Sequence, residues 1–544
     1  MNMLPRILIL EILILLSHDY RCKKLKNYLQ FIGNLSVVSR EFKDYYIKRI
    51  QDNYIDIKSY DSFSNFFKIR NKVGIKINLF LHNISLVKLY QWAMEDNPQL
   101  YRELEITTLY INSKLQVPTI KPSPLLKGFT VLDLILSQAS VEKVFNDNQM
   151  EALKSISSLK LNFIEEYIYG KQKENPLPIQ RYIIGRLCRI SSLETLHLTG
   201  LVDIPVEYFK LLIKSLPILE VLEISISQKA NADRDKQILD VLVPSKTIKE
   251  LTIATSINTQ TVIEFINANQ SVQILVLSKL IFIGNKESLP RIYNSTLKYL
   301  NIESTDKANI SFDSSIYSLW EVPSSLQFIL LQQTNVILAK KLGFYHPNIT
   351  NFVYNCDNDF EIVEILKLQL PSLKTIQLNQ THTTFNNLAY FTSRVFQSLQ
   401  SSLYLVEFHY FQQCDCKDLC TLIVNSPPTL KVIWFSYINH WDMSSISKSL
   451  ISNTHLISVI FSYVVSAKRE TDSEFIELLC QIIENNPRLS TIKVSAPFNQ
   501  ELPLSVITRF RECIAQNYQN LHYINLFTRS SEINKILHSY QIGT

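Results

Sequence analysis

One short pattern recurs through most of the chain: an apolar residue, two variable ones, a second apolar, one variable, a third apolar. Its clearest copy is Leu297-Lys-Tyr-Leu300-Asn-Ile302. Others are Leu193/Leu196/Leu198, Leu219/Leu222/Ile224, Ile248/Leu251/Ile253, Val272/Leu275/Leu277, Leu326/Ile329/Leu331, Ile349/Phe352/Tyr354, Leu373/Ile376/Leu378 and Leu403/Val406/Phe408. Later copies open at Leu430, Leu456, Leu489 and Leu521, and fainter ones at Ile106, Phe129 and Ile156. From Leu193 onward they return every 23 to 33 residues. Self-similarity at such a period means that one small unit is used many times, and that each unit buries its apolar face only against its neighbours.

Each unit reads as a strand followed by a helix. The apolar pattern alternates as a strand requires. Between copies, 205–215 opens on Pro205, with Phe209, Leu212, Ile213 and Leu216 at helical spacing. Residues 471–484 open with Thr471 and Glu474 at capping-box spacing, followed by a stripe of Phe475, Leu478, Leu479, Ile482 and Ile483. Proline stands two residues before the opening apolar position in the copies at Leu219, Ile349, Leu373, Leu430 and Leu489. A residue that cannot continue a helix marks the helix-to-strand boundary. The expected fold class is therefore α/β, a solenoid with parallel strands on its concave side and helices on its convex side.

This pattern resembles the leucine-rich repeat family over roughly residues 100–530. It departs from the family in one respect, since the Asn or Cys that usually follows the strand is not regularly present. The positions between the apolar ones are expected to face outward on the concave sheet: Thr195, His197 and Thr199; Tyr299, Asn301 and Glu303; Phe328, Leu330 and Gln332; Thr375, Gln377 and Asn379; Leu405, Glu407 and His409; Val432, Trp434 and Ser436. Most are polar. Tyr299, Phe328, Leu330, Val353, His409, Trp434 and Ile460 form the candidate partner-binding set, because large apolar and aromatic groups on an open face anchor protein partners. The competing readings are that loops or a terminal segment cover them, or that the register is off by one, which inverts every assignment.

Composition removes several function classes. Nine glycines occur, no two within ten residues of each other, which leaves no phosphate-cradling glycine loop. Lys and Arg exceed Asp and Glu by only six, without the concentrated basic face of a nucleic-acid binder. Eight cysteines in 544 residues read as reduced thiols of an intracellular protein, cytoplasmic or nuclear. The stretch His409-Tyr-Phe-Gln-Gln-Cys414-Asp-Cys416-Lys-Asp-Leu-Cys420 holds four residues able to ligate zinc, but its spacing fits no usual knuckle. The structural alternative has Asp415 capping a helix whose core is Leu419, Cys420 and Ile423. No motif of a hydrolase or zinc protease occurs, and neither a catalytic residue nor a cofactor is expected.

The densest apolar run, Leu-Pro-Arg-Ile-Leu-Ile-Leu-Glu-Ile-Leu-Ile-Leu-Leu at 4–16, admits three readings. A membrane span needs about 20 apolar residues, whereas Ile7 to Leu16 is ten with Glu11 inside. A secretion signal requires an uncharged centre and small residues at its end. The third reading is a helix apolar on nearly all sides, buried against its own domain and a partner. With the downstream Leu35-Ser-Val37-Val38-Ser39-Arg40-Glu-Phe42, it resembles the F-box family over about 45 residues. The basic connector 17–28 is longer than that family's usual link. The resemblance implies docking to a Skp1-like adaptor of a cullin-type ubiquitin ligase through Leu4, Pro5, Leu8, Ile9, Ile12, Leu13, Leu16, Val37 and Val38.

The expected organisation is an all-α F-box-like domain at 1–50, a folded connecting or capping region at 51–100, and degenerate repeats at 101–544. The expected function is a non-catalytic substrate-recognition subunit of such a ligase. Its repeats would bind a protein substrate, with no nucleic acid and no membrane involved. The alternatives are a repeat scaffold without ligase docking and, third, a secreted protein whose first segment is cleaved.

Overall fold

A computed structural model describes residues 52–57, 77–81, 108–112, 131–136, 156–163, 177–178, 181–226, 232–281, 289–302, 314–332, 336–356, 359–380, 388–464, 471–494, 502–526 and 531–540, with isolated positions such as Leu13, Phe31 and Met150. The chain divides into two compact units. The first is Met1–Val272 with Val276–Lys279, and the second is Gln273–Leu275 with Leu280–Thr544. Both are α/β, built from parallel strands and helices, an arrangement compatible with a solenoid. Among the described residues no helix is long and apolar enough to cross a membrane.

In the first unit, β1 (Asp52–Ile57) and β2 (Ile77–Leu81) pair in parallel by themselves. A larger sheet contains β3 (Thr108–Asn112), β4 (Val131–Leu136), β5 (Ser158–Phe163), β6 (Leu177–Pro178), β7 (Thr195–Asp203), β8 (Val221–Ile226) and β9 (Glu250–Asn258). β3, β4, β5, β7, β8 and β9 lie side by side in that order, all parallel, and β6 pairs with the end of β7. Helices Val206–Ser215, Ala232–Leu242 and Thr259–Ala268 connect them or follow them. The repeated leucines come into register as Leu159, Leu196, Leu222 and Leu251, one per strand, and all are buried.

β10 (Ile274–Ile281) lies at the division between the units. The second unit then lays down β11 (Tyr299–Ile302), β12 (Phe328–Gln332), β13 (Asn351–Cys356), β14 (Thr375–Gln380), β15 (Glu407–Asp415), β16 (Val432–Asn439), β17 (Ser458–Val464), β18 (Thr491–Val494) and β19 (Tyr523–Asn525). Each is parallel to the next in sequence. Every crossover passes through a helix or a 3-10 turn, because a parallel partner cannot be reached by a tight hairpin. Two inward rows form the core. Ile329, Phe352, Ile376, Phe408, Ile433, Val459, Ile492 and Ile524 are one; Tyr354, Leu378, Tyr410, Phe435, Phe461 and Val494 belong to the other. Each such side chain contributes roughly 1.5–3 kcal/mol by leaving water. Phe396, from helix Leu388–Gln400, packs edge-on against Phe408 and Phe435, with ring centres 6.2 and 5.7 Å away. The helices thus cover the face to which the repeated apolar residues point.

Local signals act as expected. Helix Asp472–Asn485 is capped by Thr471, whose hydroxyl accepts from Glu474 N at 3.3 Å, while the Glu474 carboxylate accepts from Thr471 N at 2.9 Å. Pro205 sits at the cap position of helix Val206–Ser215, and Phe209, Leu212 and Leu216 are buried.

One copy of the repeat requires correction. Leu403 was expected inward and Leu405 outward, but Leu403 is 61% exposed and Leu405 only 2%. The register Phe408↔Ile433 and Tyr410↔Phe435 identifies the repeat as Leu405/Phe408/Tyr410. The preceding helix, Leu388–Gln400, has 13 residues against 9 in Asp359–Lys367, and the extra length delays the strand. A slip of two residues preserves strand parity, so Glu407 and His409 keep their outward placement.

A second periodicity lies in the helix-to-strand turns. Asn269, Asn294, Asn453 and Asn486 each stand three residues before the first apolar position of a copy, and all are buried. The Asn269 carboxamide oxygen accepts from Val272 N at 2.9 Å, and its Nδ2 donates to Leu242 O at 3.1 Å in the preceding unit. Asn453 repeats this with Leu456 N at 2.8 Å and Ile423 O at 2.7 Å. His346 fills the same slot. Its Nε2 donates to Tyr317 O at 2.9 Å, which leaves Nδ1 to accept from the Ser324 hydroxyl at 2.7 Å. Buried helix-end carbonyls need donors, and in the turns of Asn269, His346, Asn453 and Asn486 one side chain supplies them while joining consecutive repeats.

Candidate protein-binding face

The intervening positions of the strands form the face opposite the helices. In the second unit they line up across strands by backbone register. One row reads Leu330, Val353, Gln377, His409, Trp434, Ile460, Lys493 and Asn525. Two residues earlier on each strand runs a second row: Phe328, Asn351, Thr375, Glu407, Val432, Ser458, Thr491 and Tyr523, with Tyr299 beside Phe328. All seven candidate residues lie on this face, and each is half-buried rather than core.

They fall into local groups. Tyr299 and Phe328 stack, with ring centres 4.6 Å apart. Leu330 and Val353 are cross-strand neighbours. His409, Trp434 and Ile460 are successive neighbours, with the His409 and Trp434 rings 5.4 Å apart. Gln377 separates the last two groups, its amide donating to Asn379 Oδ1 at 2.8 Å. Trp434 is held in place. Its Nε1 donates to Ser462 Oγ at 2.9 Å, and the Phe411 ring meets it edge-on at 4.9 Å. Phe411 did not enter the candidate set. It stands two residues after His409, so strand alternation places it on the same face, but the copy was read as ending at His409.

The electrostatics favour apolar contact here. Burial pushes His409 below its ordinary pKa, and the Glu407 carboxylate 3.6 Å from Nε2 acts in the opposite direction. The ring is therefore mostly neutral near pH 7. Strands lie roughly 4.8 Å apart, so the row offers aliphatic and aromatic surfaces at that interval. The first unit presents a different surface at equivalent positions. Lys160, His197, Glu223 and Thr252 are in register, and His197 Nδ1 is hydrogen-bonded to the Glu223 carboxylate. That bond holds Glu223 below the usual carboxylate range.

The cysteine stretch folds as its structural reading described. Asp415 caps helix Cys416–Val424 by accepting from Lys417 N at 2.9 Å, and Leu419 and Ile423 are core. Cys420 is half-buried rather than fully core. His409 and the buried Cys414 lie on opposite faces of β15. Among the described residues no group of three or more His, Cys, Asp or Glu side chains is placed to hold a metal ion.

Of the adaptor-docking set, Leu13 is helical and buried. Leu4, Pro5, Leu8, Ile9, Ile12, Leu16, Val37 and Val38 lie outside the described residues.

No protein-family model matches the chain. No curated protein matches it either. Among solved structures, it is similar to a chain from the crystal structure of the Rad7 and Elc1 complex in yeast, at 16% identity and a TM-score of 0.35, over 70% of this chain and 88% of that one.

Proposed function

We propose that this protein is a non-catalytic recognition subunit built on leucine-rich repeats. Its second unit holds a protein substrate on the helix-free face, and its F-box-like segment docks a Skp1-like adaptor of a cullin-type ubiquitin ligase inside the cell. The carrying observation is the cross-strand row Leu330, Val353, His409, Trp434 and Ile460, half-buried and interrupted only by Gln377. Such a surface binds another protein's apolar side chains, and the rings within it act as anchors. The docking half rests on the sequence motifs at 4–16 and 35–42. The ligase would gain proximity from this subunit, with transfer chemistry performed elsewhere.

The long basic connector at 17–28 favours a second reading, a repeat scaffold that does not dock the adaptor. Affinity purification separates the two. Co-purification of a Skp1-like protein, lost in the Leu8→Asp/Ile12→Asp variant, supports docking. Its absence from the wild-type protein leaves the scaffold reading. Substrate capture that survives Trp434→Ala, Phe411→Ala and Ile460→Asp together would refute the face.

A further inference from the structure

On the helix side of the first unit, a groove runs between helix Val206–Ser215 and helix Ala232–Leu242. One wall carries Val206, Lys210, Ile213 and Lys214, which share a side of their helix at helical spacing. The other carries Asp240 and Val241, and the turn that follows supplies Lys246. The cavity measures about 700 Å³, within the roughly 300–1,000 Å³ of ordinary ligand sites. Its floor is apolar: Leu216 is buried, and Val206, Ile213 and Val241 are half-buried. Its rim is charged, with Lys210, Lys214, Lys246 and Asp240 all exposed.

The rim is net positive and unneutralised. Lys236, on the second helix but outside the groove, pairs with Glu264 at 3.3 Å. Lys210, Lys214 and Lys246 have no ion-pair partner among the described residues, Asp240 included. Lys210 and Lys214 stand one helical turn apart, so their charges repel each other, and an anion laid beside them relieves that repulsion. The turn bearing Lys246 is fixed from the next repeat: the Ser271 hydroxyl donates to Ser245 O at 2.7 Å, and Asn269 Nδ2 donates to the same oxygen at 3.4 Å.

We propose that this groove docks a short acidic segment of another protein. The segment inserts an aliphatic side chain between the two helices and sets its carboxylates against Lys210, Lys214 and Lys246. Exposed ion pairs contribute little individually, so the apolar floor supplies most of the affinity. The lysines select the sign of the partner's charge and speed the encounter. Nucleic acid matches the groove less well, because Asp240 stands in one wall and no arginine fork is among the described lining residues. The site belongs to the first unit alone and is independent of the strand face of the second.

The test uses the full-length chain and fluorescein-labelled peptides, read by fluorescence anisotropy. Glu-Asp-Leu-Asp-Glu should bind saturably. Gln-Asn-Leu-Asn-Gln, without the charges, should bind several-fold more weakly, and Glu-Asp-Gly-Asp-Glu, without the anchor, at least about tenfold more weakly. The Lys210→Glu/Lys214→Glu/Lys246→Glu variant changes only exposed side chains and should keep the wild-type melting midpoint. It should lose the acidic peptide and take up Lys-Lys-Leu-Lys-Lys instead. No saturable binding by the wild type, equal binding of the three peptides, or undiminished binding of the acidic peptide by the variant would each overturn the proposal. So would a single-stranded DNA oligomer or phosphatidylserine vesicles binding the wild type more tightly than the acidic peptide and releasing on the same substitutions.

Discussion

The side-chain amide of Asn486 donates to the main-chain carbonyl of Asn453 at 2.9 Å and to that of Leu450 at 2.7 Å. Asn453 does the same one unit earlier, toward Ile423 O and the Ser426 hydroxyl at 2.8 Å. Consecutive repeats are therefore joined by polar contacts in the helix-to-strand turns as well as by packed leucines. All the donors and acceptors concerned are buried, so each bond is costly to leave unmade.

Asn486→Ala should lower unfolding free energy by roughly 1–3 kcal/mol, because two carbonyls and a turn amide lose their partner. Asn453→Ala should cost a similar amount. The double variant should fall short of the sum, since the two residues share the Asn453 carbonyl region. Urea denaturation of the three variants checks this.

Two of the four tryptophans, Trp320 and Trp434, should separate stability from binding. Trp320 is fully buried, its Nε1 donating to Asn294 O at 2.9 Å. Trp320→Ala should cost about 3–5 kcal/mol. Trp434 is half-buried on the open face, so Trp434→Ala should cost much less while weakening partner capture. Thermal denaturation alongside pull-down distinguishes the outcomes.

Leu403→Ala and Leu405→Ala test the corrected repeat. The exposed Leu403 should tolerate the change within about 0.5 kcal/mol. The buried Leu405 should lose roughly 2–5 kcal/mol. Equal effects would contradict the register of β15.

Stability should fall as pH drops from about 6.5 to about 4 through His346. Burial among Tyr317, Trp320 and Ser324 depresses its folded pKa to about 4, from 6.5 when unfolded. In that window the unfolded chain binds a proton that the folded chain refuses, so acid favours unfolding; above pH 6.5 both forms are neutral and the effect vanishes. The full loss is roughly 3 kcal/mol. Carboxylates titrate nearby in pH, so the measurement is a comparison. His346→Asn, which keeps a donor for Tyr317 O, should show a shallower decline in stability between pH 6.5 and 4.

The alternation of Leu297, Leu300 and Ile302 and its many copies could be read directly, because burial on one side of a strand imposes apolar residues at alternate positions. The capping box at Thr471 and Glu474 is equally local and was equally legible. The outward set Leu330, Val353, Trp434 and Ile460 followed from parity alone. The exceptions share a cause. Leu403 and Leu405 are both leucine two residues apart, so pattern matching cannot choose between them; pairing with β16 does. Asn453 and Asn486 look like ordinary polar turn residues in an Asn-rich chain, and only the unit beneath shows which carbonyls they serve.

The sequence by itself thus determined the repeating unit, its α/β character and which side chains leave the core, since these depend on spacing within one strand or helix. It did not determine that His409 and Phe411 would converge on the Trp434 indole, or that Asn486 would reach the carbonyls of Leu450 and Asn453. Those meetings depend on cross-strand register and on the lengths of intervening helices, through which residues about 25 apart become neighbours 4.8 Å away across the sheet. Parallel pairing is non-local, and only the assembled units establish it.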